Sequence, residues 1–242
     1  MAFKSKYDAF YQSANDQLIK VSHTVIVFID ISNSQKIVYV YGQRKAYAMV
    51  YDLFHQLQAV CLSFGLSVIK TNGDQIVLAS QSPNGASASV HGSSQSVHAA
   101  YGFASTAHQA AVEKSTDYGC SIKLRVGIAL GDVFFCKAVT GRSKSDVWGN
   151  TVNKAAMLEQ YTLPGSTALC ASAFDALPSP CKKFCSNHTF DTKCGKLDAF
   201  IVVRPLSKTE FIKPRKFKFH RYVYSNNAAI TREGGGNTRS FH

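Results

Sequence analysis

The sequence predicts an α+β fold, an antiparallel sheet with helices on one face, and three observations predict it. Short β-branched runs alternate with longer amphipathic stretches in the order β-α-β-β-α-β. The first run, Thr24 to Ile31, is almost entirely apolar, as expected for a strand buried on both faces. Two later runs flank an Asn72-Gly73 pair, the mark of a tight hairpin. This is a ferredoxin-like βαββαβ core with additions.

In chain order, Tyr7 to Lys20 reads as an amphipathic helix leading into the strand Thr24 to Ile31, and Ser32-Asn33-Ser34 as a turn. A helix follows from Gln43 to Phe64, with Ala46, Val50, Leu53, Phe54, Leu57 and Cys61 near helical spacing. Leu66–Lys70 and Gln75–Ala79 form the hairpin around Thr71-Asn72-Gly73-Asp74. Ser82 to Ser96, rich in Ser, Gly and Ala, reads as a loop. A helix is expected over Val97 to Ser115, then strands at Ile122 to Ala129 and Val133 to Ala138. Asn150 to Glu159 reads as a helix stopped by Leu163-Pro164-Gly165, and strands near Thr167–Cys170 and Ala199–Val203 complete the domain.

The chain has 242 residues, enough for a substantial core. Its apolar runs are strand-length and far short of the roughly 20 residues of a membrane helix. The start lacks the apolar region of a signal peptide, so a cytoplasmic protein is expected. Seven cysteines, an odd number, suggest reduced thiols. Cys181, Cys185, His188 and Cys194 are residue types that bind zinc, but their spacing matches no finger pattern, and half-buried thiols around a loop are the reading taken. Of the net charge of +12, about half lies between Arg204 and Arg221, interleaved with Phe217 and Phe219. Such a segment could bind nucleic acid; a solvated basic tail is the simpler expectation.

Three segments carry chemistry together. Phe28-Ile29-Asp30-Ile31-Ser32-Asn33-Ser34 ends a buried strand on a carboxylate and a small-residue turn. Lys70-Thr71-Asn72-Gly73-Asp74 places a second carboxylate at a hairpin tip. Arg125-Val126-Gly127-Ile128-Ala129-Leu130-Gly131-Asp132-Val133 is followed by Asp146-Val147-Trp148-Gly149-Asn150-Thr151-Val152-Asn153-Lys154-Ala155-Ala156-Met157-Leu158-Glu159. Each is weak alone. In this order and spacing, over about Val21 to Val203, they resemble the class III adenylate and guanylate cyclases.

The resemblance implies the class III nucleotide cyclase fold and conversion of a nucleoside triphosphate to a 3′,5′-cyclic monophosphate. With the amphipathic start and the basic end, the chain divides into an N-terminal helix (1–22), a catalytic domain (23–203) and a basic tail (204–242). The resemblance implies Asp30 and Asp74 as ligands of two Mg²⁺ or Mn²⁺ ions per active site, with the Ile31 carbonyl completing one shell. Ser32, Asn33 and Ser34 would hold the triphosphate, and Asn153 would orient the ribose. Lys70 and Asp146 would read the base edge, and either Lys193 or Lys196 would bind phosphate. It also implies a homodimer with composite sites, in which the aspartates face Lys70, Asp146 and Asn153 of the other subunit.

Two positions depart from the family pattern. Met157 stands where an arginine usually stabilises the transferring phosphate; Lys154, one helical turn earlier, is the replacement expected, with Arg142 and Lys144 as others. Asn33 stands where glycine is common, and asparagine tolerates left-handed backbone. Lys70 and Asp146 match the adenine-selecting pair, which favours ATP. A lone cyclase domain instead resembles the pyrimidine cyclases of anti-phage defence, and a UTP or CTP cyclase is the expectation taken. Tyr47 and Tyr51 are candidates for narrowing the base pocket; the plainer reading packs them in the core. A catalytically silent cyclase-fold or nucleic-acid-binding module is the other class.

Overall fold

The computed structural model describes residues 18–80, 92–136, 146–192 and 195–202. Its centre is a pair of long antiparallel strands, β1 (Ile19–Ile31) and β4 (Leu124–Cys136). From Thr24 to Ile31 β1 is buried throughout, as its apolar run from Val25 to Ile29 leads one to expect. The two helices expected between strands are α2 (Gln43–Cys61), extended by a 3₁₀ turn at Leu62–Phe64, and α3 (Ser93–Tyr118). They are tied to each other by Lys114 and Tyr118, which donate to the Asp52 carboxylate at 2.6 and 3.2 Å. With the hairpin β2 (Ser67–Asn72) and β3 (Gln75–Ala79), the sheet runs β2-β3-β1-β4, the ferredoxin-like order.

The additions differ from the expected antiparallel sheet. Beyond β4 come β6 (Ser166–Leu169), β8 (Gly195–Val202) and β7 (Cys185–Thr192), and the β4–β6 pair is parallel, so the sheet is mixed. A short strand β5 (Asp146–Trp148) pairs with the far end of β4. Helix α4 (Asn150–Tyr161) follows it, and the short helices α5 (Ala171–Ala176) and α6 (Ser179–Lys182) lie before β7.

Several boundaries move for physical reasons. The expected helix ending at Lys20 gives way to strand from Ile19, because Ile19, Lys20 and Val21 pair with Phe135, Phe134 and Val133; residues 1–17 lie outside the described residues. The two strands expected around Gly131 are one, since Leu130 and Gly131 stay in register with Val25 and Thr24. The hairpin turn is Gly73-Asp74 rather than Asn72-Gly73. Asn72 pairs with Gln75, and Gly73 alone takes φ +61°, as a II′ turn demands at its first central position. An eight-residue helix, α1 (Ser34–Tyr41), starts inside the expected Ser32–Ser34 turn, and β5 and β7 were not anticipated. α3 begins within the expected Ser82–Ser96 loop, most of which lies outside the described residues, as does the tail from 203.

The helices do not all share one face. A Cβ on Gly127 would stand 2.1 Å from the Ala155 carbonyl oxygen and 2.5 Å from the Glu159 nitrogen, so that face of β4 lies directly under α4. Val126 points the other way by the alternation of a strand, and its register partner Thr167 bonds His108 of α3 at 3.0 Å. Thus α3 and α4 cover opposite faces. Glycine at 127 lets α4 approach backbone to backbone, and the Thr151 hydroxyl donates to the Asp132 carbonyl at 2.7 Å to hold its first turn.

Candidate active site

Asp30 is the one acidic residue of the inner β1 segment, 9% exposed, and sits across the sheet from Gln75 on β3 and Arg125 on β4. Partners in register share a face, so all three project toward α4. Arg125 places one guanidinium nitrogen 2.6 Å from Asp30 Oδ2. Its Nε lies 3.2 Å from Glu159 Oε1 on α4, an ion pair too poorly aligned to be a hydrogen bond. Gln75 donates to the other Glu159 oxygen at 3.1 Å, extending the chain to four side chains.

Asp74 reaches the same place from the hairpin tip, whose carbonyl accepts from the Ile31 N–H at 3.2 Å. Burial pushes the Asp30 carboxyl above its ordinary value; the Arg125 hydrogen bond opposes this and the Asp74 charge adds to it. Burial, then the nearby Asp30 charge, pushes Glu159 up to about 7. The site thus carries more negative charge than Arg125 neutralises.

That excess is a test of whether divalent cations fit. Among the described residues no group of three or more His, Cys, Asp or Glu is arranged to hold a metal by itself. Two adjacent carboxylates, one of them buried, instead suit a hard cation whose remaining ligands are water and substrate phosphate, the usual binding mode of Mg²⁺. Asp30 and Asp74 therefore fit the metal role.

Around them, Asn33 takes a left-handed conformation, φ 59°, and its carbonyl starts α1 by accepting from the Lys36 and Ile37 N–H groups. The Ser32 side is less open than expected, because its N–H donates to the Lys123 carbonyl at 2.8 Å and the residue is buried. A triphosphate on this turn would have to use the N–H groups from Asn33 onward, which helix starts leave unpaired. A cavity of about 580 Å³ opens beside Ile31, Ser34 and Asp74 and is lined by α2. Tyr47 and Tyr51 stand in that lining, 69% and 48% exposed and stacked at 6.0 Å, which corrects the reading that packs them in the core.

Lys70 and Asp146 come together from β2 and β5, with Lys70 Nζ 2.7 Å from Asp146 Oδ1. The same oxygen accepts from the Val147 N–H at 2.8 Å, which fixes the carboxylate. Asn153 and Lys154 project from the exposed side of α4, away from the Glu159 side, and Met157 is half-buried. Lys196 lies exposed on β8, with β6 and β4 between it and β1, about 14 Å of strand spacing. One protomer therefore does not bring it beside Asp30; Lys193, Arg142 and Lys144 lie outside the described residues. Of the thiol group, Cys181 is buried, Cys185 donates to the Cys181 carbonyl at 3.7 Å, and His188 is exposed and stacked on Phe190. Cys194 lies outside the described residues.

Sequence reasoning assigned no role to Arg125, Glu159 or Gln75. The signal was present as two charged residues inside otherwise apolar and small-residue motifs, but only the register and the α4 approach join them.

A sheet of this order, with paired carboxylates at the end of β1 and the β2–β3 turn, is the architecture of a nucleotide cyclase. The profile of the adenylate and guanylate cyclase catalytic domain matches residues 18–203, and the chain belongs to that family. The catalytic core of a rhodopsin–guanylyl cyclase with converted specificity, solved with ATPαS, is 22% identical with a TM-score of 0.66, covering 77% of this chain and 97% of that one. The dimeric guanylyl cyclase domain of the RhoGC fusion protein of the aquatic fungus Blastocladiella emersonii is 19% identical, TM-score 0.62, covering 77% and 97%. The adenylyl cyclase CyaB of P. aeruginosa is 14% identical, TM-score 0.64, covering 78% and 99%. These likenesses show the fold and do not choose a base. No curated protein matches the chain. Among the described residues no helix is long and apolar enough to cross a membrane.

Proposed function

We propose that this nucleotide cyclase acts on a triphosphate whose base carries an exocyclic amine next to a ring-nitrogen acceptor, CTP first and ATP second. The observation that supports it is the Lys70–Asp146 pair at 2.7 Å, one donor beside one acceptor. Cytosine and adenine present an amine and an adjacent ring nitrogen, which such a pair complements. Uracil and guanine present a carbonyl and a ring N–H, the reverse order. Two stacked tyrosines beside Asp74 favour the smaller of the two matching bases.

In the reaction the ribose 3′-oxygen bonds to the α-phosphorus, its proton leaves, and the α–β bridging P–O bond breaks to release pyrophosphate. Mg²⁺ or Mn²⁺ held by Asp30 and Asp74, two per site, would supply Lewis acidity at the hydroxyl and the phosphate oxygens. The first turn of α1 would take the triphosphate, and Asn153 the ribose. Lys154 would replace the arginine that Met157 displaces, and Lys193 or Lys196 would bind phosphate. Asn153 and Lys154 face away from Asp30 of their own protomer, which supports a homodimer with two composite sites. A product serving as second messenger in anti-phage defence is part of the same proposal.

The test is to incubate the purified chain with each of the four triphosphates and Mn²⁺ and identify the products. Cyclic CMP, with slower cyclic AMP, is expected. Exclusive cyclic AMP removes the pyrimidine preference, cyclic UMP or GMP as main product overturns the base-edge argument, and no product from any triphosphate overturns the cyclase reading.

A further inference from the structure

We infer that Arg125 and Glu159 are positioning residues that transmit occupancy of the Asp30–Asp74 site to helix α4, and so link the two composite sites of a dimer. This rests on the cyclase reading above. The observation behind it is that one guanidinium serves two carboxylates unequally. Arg125 lies 2.6 Å from Asp30 Oδ2, while its Nε meets Glu159 at 3.2 Å, out of line. A cation arriving at Asp30 competes for the charge that now holds Arg125. The guanidinium then gains by turning to Glu159, where an aligned charge-assisted bond is left to be made.

Glu159 is a sensitive receiver. It is 4% exposed, on the inner face of α4, one turn beyond the Ala155 carbonyl that rides on Gly127. The backbone there is too close to β4 for Glu159 to absorb the change alone, so α4 shifts with it. Its outer face carries Asn153 and Lys154, and only Gly149 separates its first turn from Trp148. In a composite dimer the inner face of each α4 touches one active site and its outer face serves the other. Metal loading at one site is therefore felt at the ribose-orienting residue of the second.

The chain holds a single tryptophan, Trp148, which makes the coupling visible without turnover. Mg²⁺ is titrated into the metal-free protein while Trp148 fluorescence is followed, and binding is measured separately by calorimetry. The wild type is expected to change its emission in step with binding. Glu159→Leu, an apolar side chain of similar size, should still bind Mg²⁺ but lose about fivefold or more of the Trp148 response, the lower end of ordinary coupling between sites. Glu159→Gln, which keeps the bond to Gln75 and disturbs the fold less, should lose part of it. A full response in both variants overturns the inference and assigns the signal to the Lys70–Asp146 route through the hairpin. Failure of the wild type to bind Mg²⁺ overturns the metal-site reading instead, so the two failures are distinguishable.

Discussion

Around Asp30 the guanidinium of Arg125 meets two carboxylates, Asp30 and Glu159, with the Asp74 charge nearby, whereas around Lys70 one ammonium meets the carboxylate of Asp146. The first cluster is deep in the fold, with Asp30 and Glu159 both under 10% exposed. The second is more open, its side chains 39% and 22% exposed. The buried cluster is short of positive charge, and under the proposed function a cation or a triphosphate–metal complex would complete it. The open pair is already neutral, and under the proposed function a base would bind there by replacing one hydrogen bond with two of matching polarity. On that proposal one cluster would supply electrostatic force and the other selection. A partly exposed pair contributes little to stability, so substituting it should alter choice of substrate more than folding.

The largest effect expected from breaking this contrast is at Asp30. Asp30→Asn should lower turnover by at least about 10²-fold, the scale of losing a preorganised electrostatic group. It should leave the melting temperature unchanged or raised, because a crowded negative charge is removed. A large fall in melting temperature would mean that the Arg125 ion pair is structural first. On the proposed role in anti-phage defence, the same variant should abolish protection in phage-infected cells, as plaque counts would show.

A smaller effect is expected at the open pair. Lys70→Glu replaces the donor by an acceptor and should cut kcat/KM for CTP and ATP by about 10–10²-fold, in line with 1–3 kcal/mol for a bidentate base contact. Activity with UTP or GTP should rise relative to these. An equal loss for all four triphosphates would show that Lys70 does not read the base.

The smallest effect is a pH dependence of stability from Glu159. Burial pushes this carboxyl up to about 7, against an ordinary 4.5. Between those values the native state holds a proton that the unfolded chain has lost, so stability falls as pH rises from about 4.5 to 7. The loss is of the order of 1–3 kcal/mol. Denaturant melts across this window should slope downward for the wild type and flatten for Glu159→Gln; parallel curves would show that Glu159 is ionised in the fold.

What was legible in the residues was local or periodic. The buried run before Asp30, the hairpin carrying Asp74, the long α2 and the α4 stretch with Asn153 follow from apolar spacing and turn chemistry acting over a few neighbours. Boundaries went astray where a distant strand overrode local preference. Ile19 and Lys20 join β1 because Phe135 and Phe134 are there to pair with them. Gly131 does not end a strand that Val25 and Thr24 hold in register, and β5 exists only as a partner for β4.

The sequence by itself thus determined the ferredoxin-like core, the family and the two carboxylates, since each depends on short-range pattern. Only the tertiary structure decided that Arg125, Glu159 and Gln75 surround Asp30, that Lys70 meets Asp146, and that Tyr47 and Tyr51 face a cavity. Those contacts join residues many positions apart, and their partners are chosen by strand register and by the close approach of α4 over Gly127, which no local spacing encodes.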